Sequence, residues 1–244
     1  MAPAAEASSA GAAGWRSPGG VSERALRFDT GARSGEVSAR LLRPDRADRL
    51  LVLAHGAGAG MGHPFMQAVA EALASRRLAS FRFDFPFMQG GRRGPNPPAV
   101  LVASVRAAVQ AAARAAPDLP LFAGGKSLGG RMTSTAAAEA PLAGVRGLVF
   151  LGFPLHAPGR PSTLRADHLR DVGLPLLFLQ GTRDKLAELS LLEPVCRELG
   201  ERATLHVVEG GDHSFHVLKR SGRSDEQVLA ELADAIASWT QSLL

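Results

Sequence analysis

A seven-residue segment, GGKSLGG at residues 124–130, constrains the fold of this chain more than any other part of its sequence. It lies between a short apolar run, Leu119 to Ala123, and a stretch with helical character, Leu128 to Ala140. Its centre has the pattern G-x-S-x-G, in which the serine occupies a sharp turn between a strand and a helix. Glycines flank the serine at positions where a larger side chain would collide as strand and helix close up. The pattern predicts that Ser127 is exposed at the end of a sheet.

The pattern also arises by chance in glycine-rich loops, and the chain has 27 glycines. Whether it marks a nucleophile therefore depends on whether the sequence also supplies a base and an acid for Ser127. A serine hydroxyl is a poor nucleophile unless an imidazole takes its proton and a carboxylate orients that imidazole. On such a sheet the acid and then the histidine follow the serine, each just past a later strand. An apolar strand, Leu174 to Gly181, leads into Asp184, and another, Ala203 to Val208, leads into His213. Ser127, Asp184 and His213 are therefore the candidate catalytic residues.

The sequence offers a competitor for the base but none for the acid. His216 lies three residues after His213 and is the alternative base, since a helical turn there would put both side chains on one face. His213 is favoured because it follows the strand more closely and has small residues before it. The preceding strand, Gly147 to Phe153, ends without an acid, so Asp184 has no rival at the other position where the carboxylate can occur.

A second glycine-rich segment, HGAGAGMG at residues 55–62, follows the apolar strand Arg49 to Ala54. It lacks the Lys-Ser/Thr ending of a P-loop, and its G-x-G-x-G spacing differs from the dinucleotide-binding pattern. A loop without bulky side chains here lets a backbone N–H point at a developing oxyanion, and the residue after the nucleophile supplies the second N–H. We expect Ala57 and Leu128 to donate these N–H groups, with Gly58 as the next candidate and a lining residue.

Three further side chains are expected to line the substrate site: Met88, Lys126 and His156. Met88 follows the strand Ser80 to Phe85 at the carboxyl edge of the sheet, where ligands of α/β proteins bind; its alternative role is to cover the core. Lys126 precedes the nucleophile and would favour an acidic substrate, unless it is an ordinary solvated lysine. His156 follows the strand Gly147 to Phe153 and lies on a loop over the site. The alternative is that its side chain faces solvent.

Composition narrows the class of protein. The chain has 244 residues, 45% of them hydrophobic and 21% charged, which suits one globular domain at residues 21–244. Residues 1–20 are rich in Ala, Gly, Ser and Pro, lack the apolar region of a signal peptide and are predicted to be a disordered tail. No apolar stretch approaches the roughly 20 residues that span a bilayer. We expect a soluble, cytoplasmic protein with no membrane partner.

Charge and cysteine content exclude further classes. The net charge of +5 comes mostly from scattered arginines, and the chain has no tyrosine and no RNA-recognition or zinc-finger motif, so we expect no nucleic-acid partner. No Cys and His spacing suits a metal, and we expect neither a metal ion nor a cofactor. The single Cys196, without a histidine nearby, is expected to be a small core residue. Nothing in the sequence specifies an oligomeric state.

Apolar runs that are typical of strands buried on both faces alternate with helical stretches along the chain. Two short strands, Arg24 to Phe28 and Val37 to Leu42, are expected to form an antiparallel edge around a turn at residues 31–35. The connection from Phe153 to Leu174 is too short for a lid domain, which predicts an open site. The predicted helices cover residues 64–76, 99–116, 128–140, 190–199 and 225–244.

Five segments together resemble the α/β-hydrolase superfamily: HGAGAGM (55–61), GGKSLGGRM (124–132), FPLHAPGRP (153–161), FLQGTRD (178–184) and EGGDHSF (209–215). More closely, they resemble the small lidless bacterial group akin to dienelactone hydrolases, which is similar to vertebrate testis-expressed and NSL-complex hydrolase-like proteins. The resemblance covers nearly everything past residue 24. It implies an α/β-hydrolase fold with an eight-stranded, mostly parallel sheet and helices on both faces. It implies no substrate, and serine stands where dienelactone hydrolases use cysteine, which argues against lactone cleavage.

These observations predict a serine hydrolase that cleaves small carboxylic ester or thioester bonds through an acyl-enzyme. The expected partner is therefore a small-molecule ester or thioester. Two alternatives stay open: an amide or peptide hydrolase, and a non-catalytic binding protein on a hydrolase fold, because a fold alone does not establish activity. The presence of all three candidate catalytic residues argues against the second alternative.

Overall fold

The structure is a computed structural model that describes residues 15–16, 20–31, 35–92 and 94–244. The predicted disordered tail, residues 1–20, lies outside these ranges except for Trp15–Arg16, which forms a short strand, and Gly20. Residues 32–34 of the predicted turn also lie outside them. In the described ranges, no helix combines the length and apolar character needed to cross a bilayer.

In the part of the chain that the structure describes, nine strands form one sheet in the order β1-β2-β3-β5-β4-β6-β7-β8-β9. Strands β4 to β9 pair in parallel, whereas β1, β2 and β3 form an antiparallel edge that joins the rest through β5. In chain order the strands are β1 Trp15–Arg16, β2 Val21–Asp29, β3 Glu36–Pro44, β4 Arg49–Ala54, β5 Leu78–Phe83, β6 Leu121–Lys126, β7 Val145–Leu151, β8 Leu176–Gly181 and β9 Ala203–Val208.

The helices cover both faces of this sheet. They are α1 Pro64–Ala74, α2 Pro86–Gln89, α3 Pro98–Ala115, α4 Leu128–Glu139, α5 Leu189–Leu199 and α6 Asp225–Gln241, with 3-10 turns at Leu164–Asp171, Gly200–Arg202 and Lys219–Ser221. Buried apolar residues of α3, α4 and α5 belong to one hydrophobic cluster, and most of those of α1 and α6 belong to another. The 3-10 turn at Leu164–Asp171 is the one helical segment between β7 and β8, where no further domain is inserted.

The central strand β4 is continuously apolar from Leu50 to Ala54, and its packing shows why. Leu50 and Val52 pack into the first cluster, while Leu51 and Leu53 pack into the second. Because side chains alternate between the two faces of a strand, a strand covered on both faces needs apolar residues at every position. The predicted α/β fold, with eight mostly parallel strands and helices on both faces, is confirmed. The ninth strand is the two-residue β1, which is too short to carry an alternation pattern.

Most predicted boundaries agree with the structure, and two differences have local causes. β5 ends at Phe83, earlier than predicted, because the Asp84 carboxylate turns to accept the Met61 N–H at 2.7 Å and α2 begins at Pro86. β6 runs further than predicted, through two glycines to Lys126, because those glycines pair with β4 on one side and β7 on the other. The four-residue α2 was not predicted.

The glycines of β6 are required by close backbone packing. A Cβ added to Gly124 would lie 1.9 Å from the Val149 carbonyl oxygen of β7. Backbone atoms of a central strand cannot move away without breaking the ladder, so the clash cannot be relieved by a side-chain rotation. The serine turn at the end of β6 therefore depends on strand packing that only glycine permits.

We expect Gly124→Ala to lower the free energy of unfolding by about 3 kcal/mol, the upper part of the usual range for overpacking. Gly173→Ala is the matched control, because Gly173 is exposed and a Cβ there meets nothing within 4 Å. Its effect should stay within about 1 kcal/mol. Urea unfolding followed by circular dichroism measures both values, and equal stability of the two variants would contradict the close packing of β6 on β7.

Candidate active site

Ser127 occupies a strained turn between β6 and α4. Its φ of 51° and ψ of −115° lie outside the regions that residues with a side chain normally adopt. The turn is held because the Ser127 N–H donates to the Leu151 carbonyl at 3.1 Å. Glycines on either side let it approach β4: a Cβ on Gly125 or on Gly129 would lie 2.3 Å from the Ala54 carbonyl oxygen. This geometry holds Ser127 at the carboxyl end of the sheet, as the sequence pattern predicts.

The imidazole of His213 lies between Ser127 and Asp184. His213 Nε2 is 2.9 Å from Ser127 Oγ, and His213 Nδ1 is 2.7 Å from Asp184 Oδ2. An ionised carboxylate only accepts hydrogen bonds, so the nitrogen that faces Asp184, Nδ1, must carry the hydrogen. Nε2 is then free to accept the hydroxyl proton of the serine. The three predicted residues form one hydrogen-bonded chain.

Hydrogen bonds from the backbone shape the loop that carries His213. The Asp212 carboxylate accepts the N–H of Ser214 at 2.8 Å and that of His216 at 3.0 Å. His216 points elsewhere: its Nδ1 is 2.7 Å from Asp225 Oδ2, and both side chains are exposed. The structure therefore brings His213, and not the alternative His216, to Ser127.

The carboxylate of Asp184 is buried and fully partnered. Its Oδ2 accepts from Gln180 Nε2 at 2.5 Å, and its Oδ1 accepts the Leu186 N–H at 2.8 Å. Gln180 is itself fixed, because its Oε1 accepts the Phe153 N–H at 3.0 Å. A buried carboxylate is tolerated only when such donors satisfy it. Gln180 was not predicted, although it is the one polar side chain in the apolar strand β8 and thus left a signal in the sequence.

Hydrogen bonds fix both ends of the glycine-rich loop at residues 55–62. Buried His55 accepts the Phe85 N–H on Nε2 at 3.0 Å, and its Nδ1 donates to the Gly56 carbonyl at 2.7 Å. Burial lowers the pKa of His55, against the weaker opposing effects of Gly56 and Asp84, which suits this neutral form. At the other end, Asp84 accepts the Met61 N–H. The middle of the loop is left facing Ser127.

The two predicted oxyanion donors lie on either side of the serine. Leu128 is the first residue of α4, so its N–H has no partner within the helix. Ala57 lies in the middle of the glycine-rich loop, in the wall of the cavity that holds Ser127. Among the described residues, neither N–H donates to an acceptor in the protein. Both donors are thus available to a bound group.

Comparison with known proteins agrees with this architecture. The profile of the alpha/beta hydrolase domain family matches residues 47–241, well over half of the chain. This chain belongs to the α/β-hydrolase family.

Solved structures of several hydrolases share the fold of this α/β hydrolase. A dienelactone hydrolase from Anabaena variabilis is 22% identical, with a TM-score of 0.73, over 92% of this chain and 99% of that one. A lidless α/β serine hydrolase from Xanthomonas campestris is 20% identical, with a TM-score of 0.68, over 89% and 94%. The esterase domain of a Rhodothermus marinus protein is 18% identical, with a TM-score of 0.67, over 90% and 98%. At these identities the likeness establishes the fold.

The α/β hydrolase has a surface cavity of about 410 Å³ at the serine. It brings together five of the predicted residues: Ala57, Gly58, Lys126, Ser127 and His213. The rest of the wall was not predicted residue by residue. Gly56 and Ala59 belong to the glycine-rich loop, whereas the others come from helix and loop positions without a distinctive pattern: His63, Phe65, Met66, Leu186 and Ser214.

Two predicted lining residues lie elsewhere. Met88 is half-buried on α2 and packs against the core and the glycine-rich loop, where a Cβ on Gly60 would lie 3.4 Å from its Cε. His156 is buried because its loop folds down onto the sheet: its N–H donates to the Leu186 carbonyl, and its ring pairs with Ala157 and Glu188. The assignment of both residues to the substrate site is therefore corrected.

Lys126 lines the cavity, but its ammonium is not a free site-edge cation. Nζ donates to the backbone carbonyl of His213 and lies 5.5 Å from the centre of the Phe215 ring. Burial lowers the pKa of Lys126 to about 8, and the carboxylates of Asp184 and Asp212 only partly oppose this shift.

Among the described residues, neither the cysteine nor a metal-binding cluster adds a second reactive group. Cys196 is buried on α5, and burial, followed by the charge of Glu193, raises the pKa of its thiol to about 11, which agrees with the predicted core role. Among the described residues, no three His, Cys, Asp or Glu side chains are grouped so that they could hold a metal ion.

We expect Gln180→Leu to lower the free energy of unfolding by about 1–3 kcal/mol, because it leaves the Phe153 N–H and one Asp184 oxygen without their buried partner. Gln241→Leu at the exposed end of α6 is the matched control and should change stability by less than about 0.5 kcal/mol. Guanidinium chloride unfolding compares the two. If Gln180→Leu were as stable as the control, its hydrogen bonds would not support Asp184.

Proposed function

We propose that this α/β hydrolase is a serine hydrolase that cleaves small carboxylic ester or thioester bonds. One observation carries the proposal: the hydrogen-bonded chain from Ser127 through His213 to Asp184 begins in an open cavity and ends in a buried, fully partnered carboxylate. This arrangement gives the serine a base and gives the base a fixed orientation, which are the two requirements for nucleophilic activation.

In the first step, Ser127 Oγ attacks the carbonyl carbon while its proton passes to His213 Nε2. The imidazole becomes an imidazolium, and Asp184 stabilises that charge while keeping the proton on Nδ1. The carbonyl oxygen takes up the electron pair of its π bond and becomes an oxyanion. The N–H groups of Ala57 and Leu128 would stabilise it, and loss of one such donor costs on the order of 3 kcal/mol.

The tetrahedral intermediate then collapses. The bond to the alcohol or thiol breaks, and His213 returns the proton to that leaving group, so that an acyl group remains on Ser127. A water molecule attacks the acyl-enzyme through the same base and the same oxyanion donors. The products are a carboxylic acid and a free enzyme with its serine proton restored.

The size of the site favours a small substrate. The cavity of about 410 Å³ is open to solvent, with apolar side chains from Phe65, Met66 and Leu186 in its wall. A space of this size accommodates a short or medium acyl group. This supports an ester or thioester over a peptide, and an amide substrate is included in the test as the alternative.

The first test is labelling with a fluorophosphonate, which reacts with an activated serine. We expect the wild type to be labelled and Ser127→Ala to be unlabelled, since no other group would then be activated. Ser238→Ala is the matched control, because Ser238 is exposed on α6 away from the cavity. A panel of p-nitrophenyl esters, acyl thioesters and anilides then identifies the bond that is cleaved. A folded wild type that resists labelling would contradict the proposal and support a non-catalytic binding protein.

A second test concerns the carboxylate. Asp184→Asn should lower kcat by roughly ten-thousand-fold while the protein stays folded, because the amide can donate to Nδ1 and so favours the wrong tautomer of His213. The kcat of the preferred ester from the panel measures the effect. A loss of less than about tenfold would show that Asp184 does not orient the base.

A further inference from the structure

The loop that carries His213 is closed on itself. The Asp212 N–H donates to the His216 carbonyl at 3.1 Å, and the Phe215 N–H donates to the Asp212 carbonyl at 2.9 Å. Phe215 has a φ of 65°, a left-handed conformation that a phenylalanine adopts only when its surroundings hold it. Among the described residues, the one backbone group of this loop that is bound from the serine strand is the His213 carbonyl.

The donor to that carbonyl is the ammonium of Lys126, the residue immediately before Ser127. The space for it is made by Gly152, where a Cβ would lie 3.0 Å from Lys126 Nζ and 3.4 Å from His213 Nδ1. On its other side the ammonium lies against the Phe215 ring, which in turn stacks on Phe65 at 5.9 Å. The ammonium is therefore packed against the base loop, although Lys126 also forms part of the cavity wall.

We propose that Lys126 is a positioning residue, which holds the main chain of His213 at a fixed distance from Ser127 by its hydrogen bond to the His213 carbonyl. This inference rests on the proposed function, because it takes His213 as the base. It replaces the sequence-based expectation that Lys126 selects an acidic substrate.

The physical reason is that one turn carries both the nucleophile and the anchor of its base. Asp184 orients the imidazole ring from one side. That hydrogen bond alone does not fix the distance between the main chain of His213 and Ser127, because the ring can stay bonded to Asp184 while the loop moves away from the serine. The bond from Lys126 removes that freedom, because Lys126 and Ser127 are consecutive residues of the same rigid turn. A displacement of reacting groups by about 1 Å can lower a rate by about a hundredfold, so such an anchor has a measurable effect.

The test compares Lys126→Met, which keeps most of the length of the side chain but removes its donor, with Lys185→Met, which removes an exposed lysine beside Asp184. With a neutral ester such as p-nitrophenyl acetate, Lys126→Met should lower kcat by about 10- to 100-fold and leave KM within about twofold. Lys185→Met should resemble the wild type in both constants, which shows that a lost positive charge near the site is not the cause.

A chemical rescue separates the hydrogen bond from general loss of structure. Lys126→Cys is alkylated with 2-bromoethylamine, which restores an ammonium on a side chain of lysine length. The buried Cys196, whose thiol pKa is raised to about 11, should stay unmodified. The alkylated protein should regain most of kcat, whereas the unalkylated variant should not. The same variant serves if Lys126→Met proves unfolded.

The pH profile provides a readout that a purely structural role would not change. Asp184, Asp212 and His213 are the titratable groups that face Lys126. As pH rises through about 8, the ammonium loses its proton and its bond to the carbonyl weakens, so wild-type kcat should fall. Lys126→Met should lack this alkaline decline. In the alkylated Lys126→Cys protein the thioether lowers the basicity of the amine, so the decline should move to lower pH.

One measurement does not depend on turnover. The proton on His213 Nδ1 faces the Asp184 carboxylate and should give a downfield NMR signal. Ser127→Ala should retain this signal, and Lys126→Met should broaden or shift it. If the wild type fails to react with fluorophosphonate but this signal still responds to Lys126→Met, the proposed function fails and the positioning role stands.

Two outcomes would overturn the inference. The first is a Lys126→Met enzyme with unchanged kcat for the neutral ester and a raised KM for an acidic one, such as p-nitrophenyl hemisuccinate, since Lys126 would then contact substrate. The second is an unchanged His213 signal and an unchanged alkaline decline in that variant.

Discussion

The close approach of the serine turn to the central strand is the constraint on which the site depends. Glycines at positions 125 and 129 let the turn pack directly against the Ala54 carbonyl, and this packing holds Ser127 in a conformation that it would not adopt alone. A larger residue at either glycine would separate strand from helix. The exposure of the serine hydroxyl is therefore a consequence of backbone packing in the centre of the sheet.

The sheet gathers the remaining groups because parallel strands end at one edge. The loops after β4, β6, β8 and β9 all emerge there, and they carry Ala57, Ser127, Asp184 and His213 respectively. Two hydrophobic layers fix the positions of the strands, and the strand positions determine the distances between the loops. The buried carboxylate of Asp184 below this edge is tolerated because Gln180, the Leu186 N–H and His213 all donate to it.

The polar side chains of the site are linked by hydrogen bonds, and together these bonds fix the position of His213. Gln180 fixes Asp184, Asp184 orients the ring of His213, and Lys126 binds the main chain of the same histidine. The proposed base is thus held at its ring and at its backbone by different elements, which suits a group that must exchange a proton with Ser127 repeatedly without losing its position.

The sequence by itself determined the fold class, the strands that lead to the site and the three residues Ser127, Asp184 and His213. These depend on patterns that are local in the chain: glycines at a sharp turn, apolar runs buried on both faces, and the order in which acid and base follow a serine. The short strand β1 and the four-residue helix α2 have no such pattern. Only the tertiary structure decided the directions of individual side chains, and it moved Met88 and His156 out of the site, brought Gln180 in and turned Lys126 toward the base loop. The reason is physical: a loop side chain points where packing and hydrogen-bond partners from distant segments allow, and its own neighbours in sequence do not specify those partners.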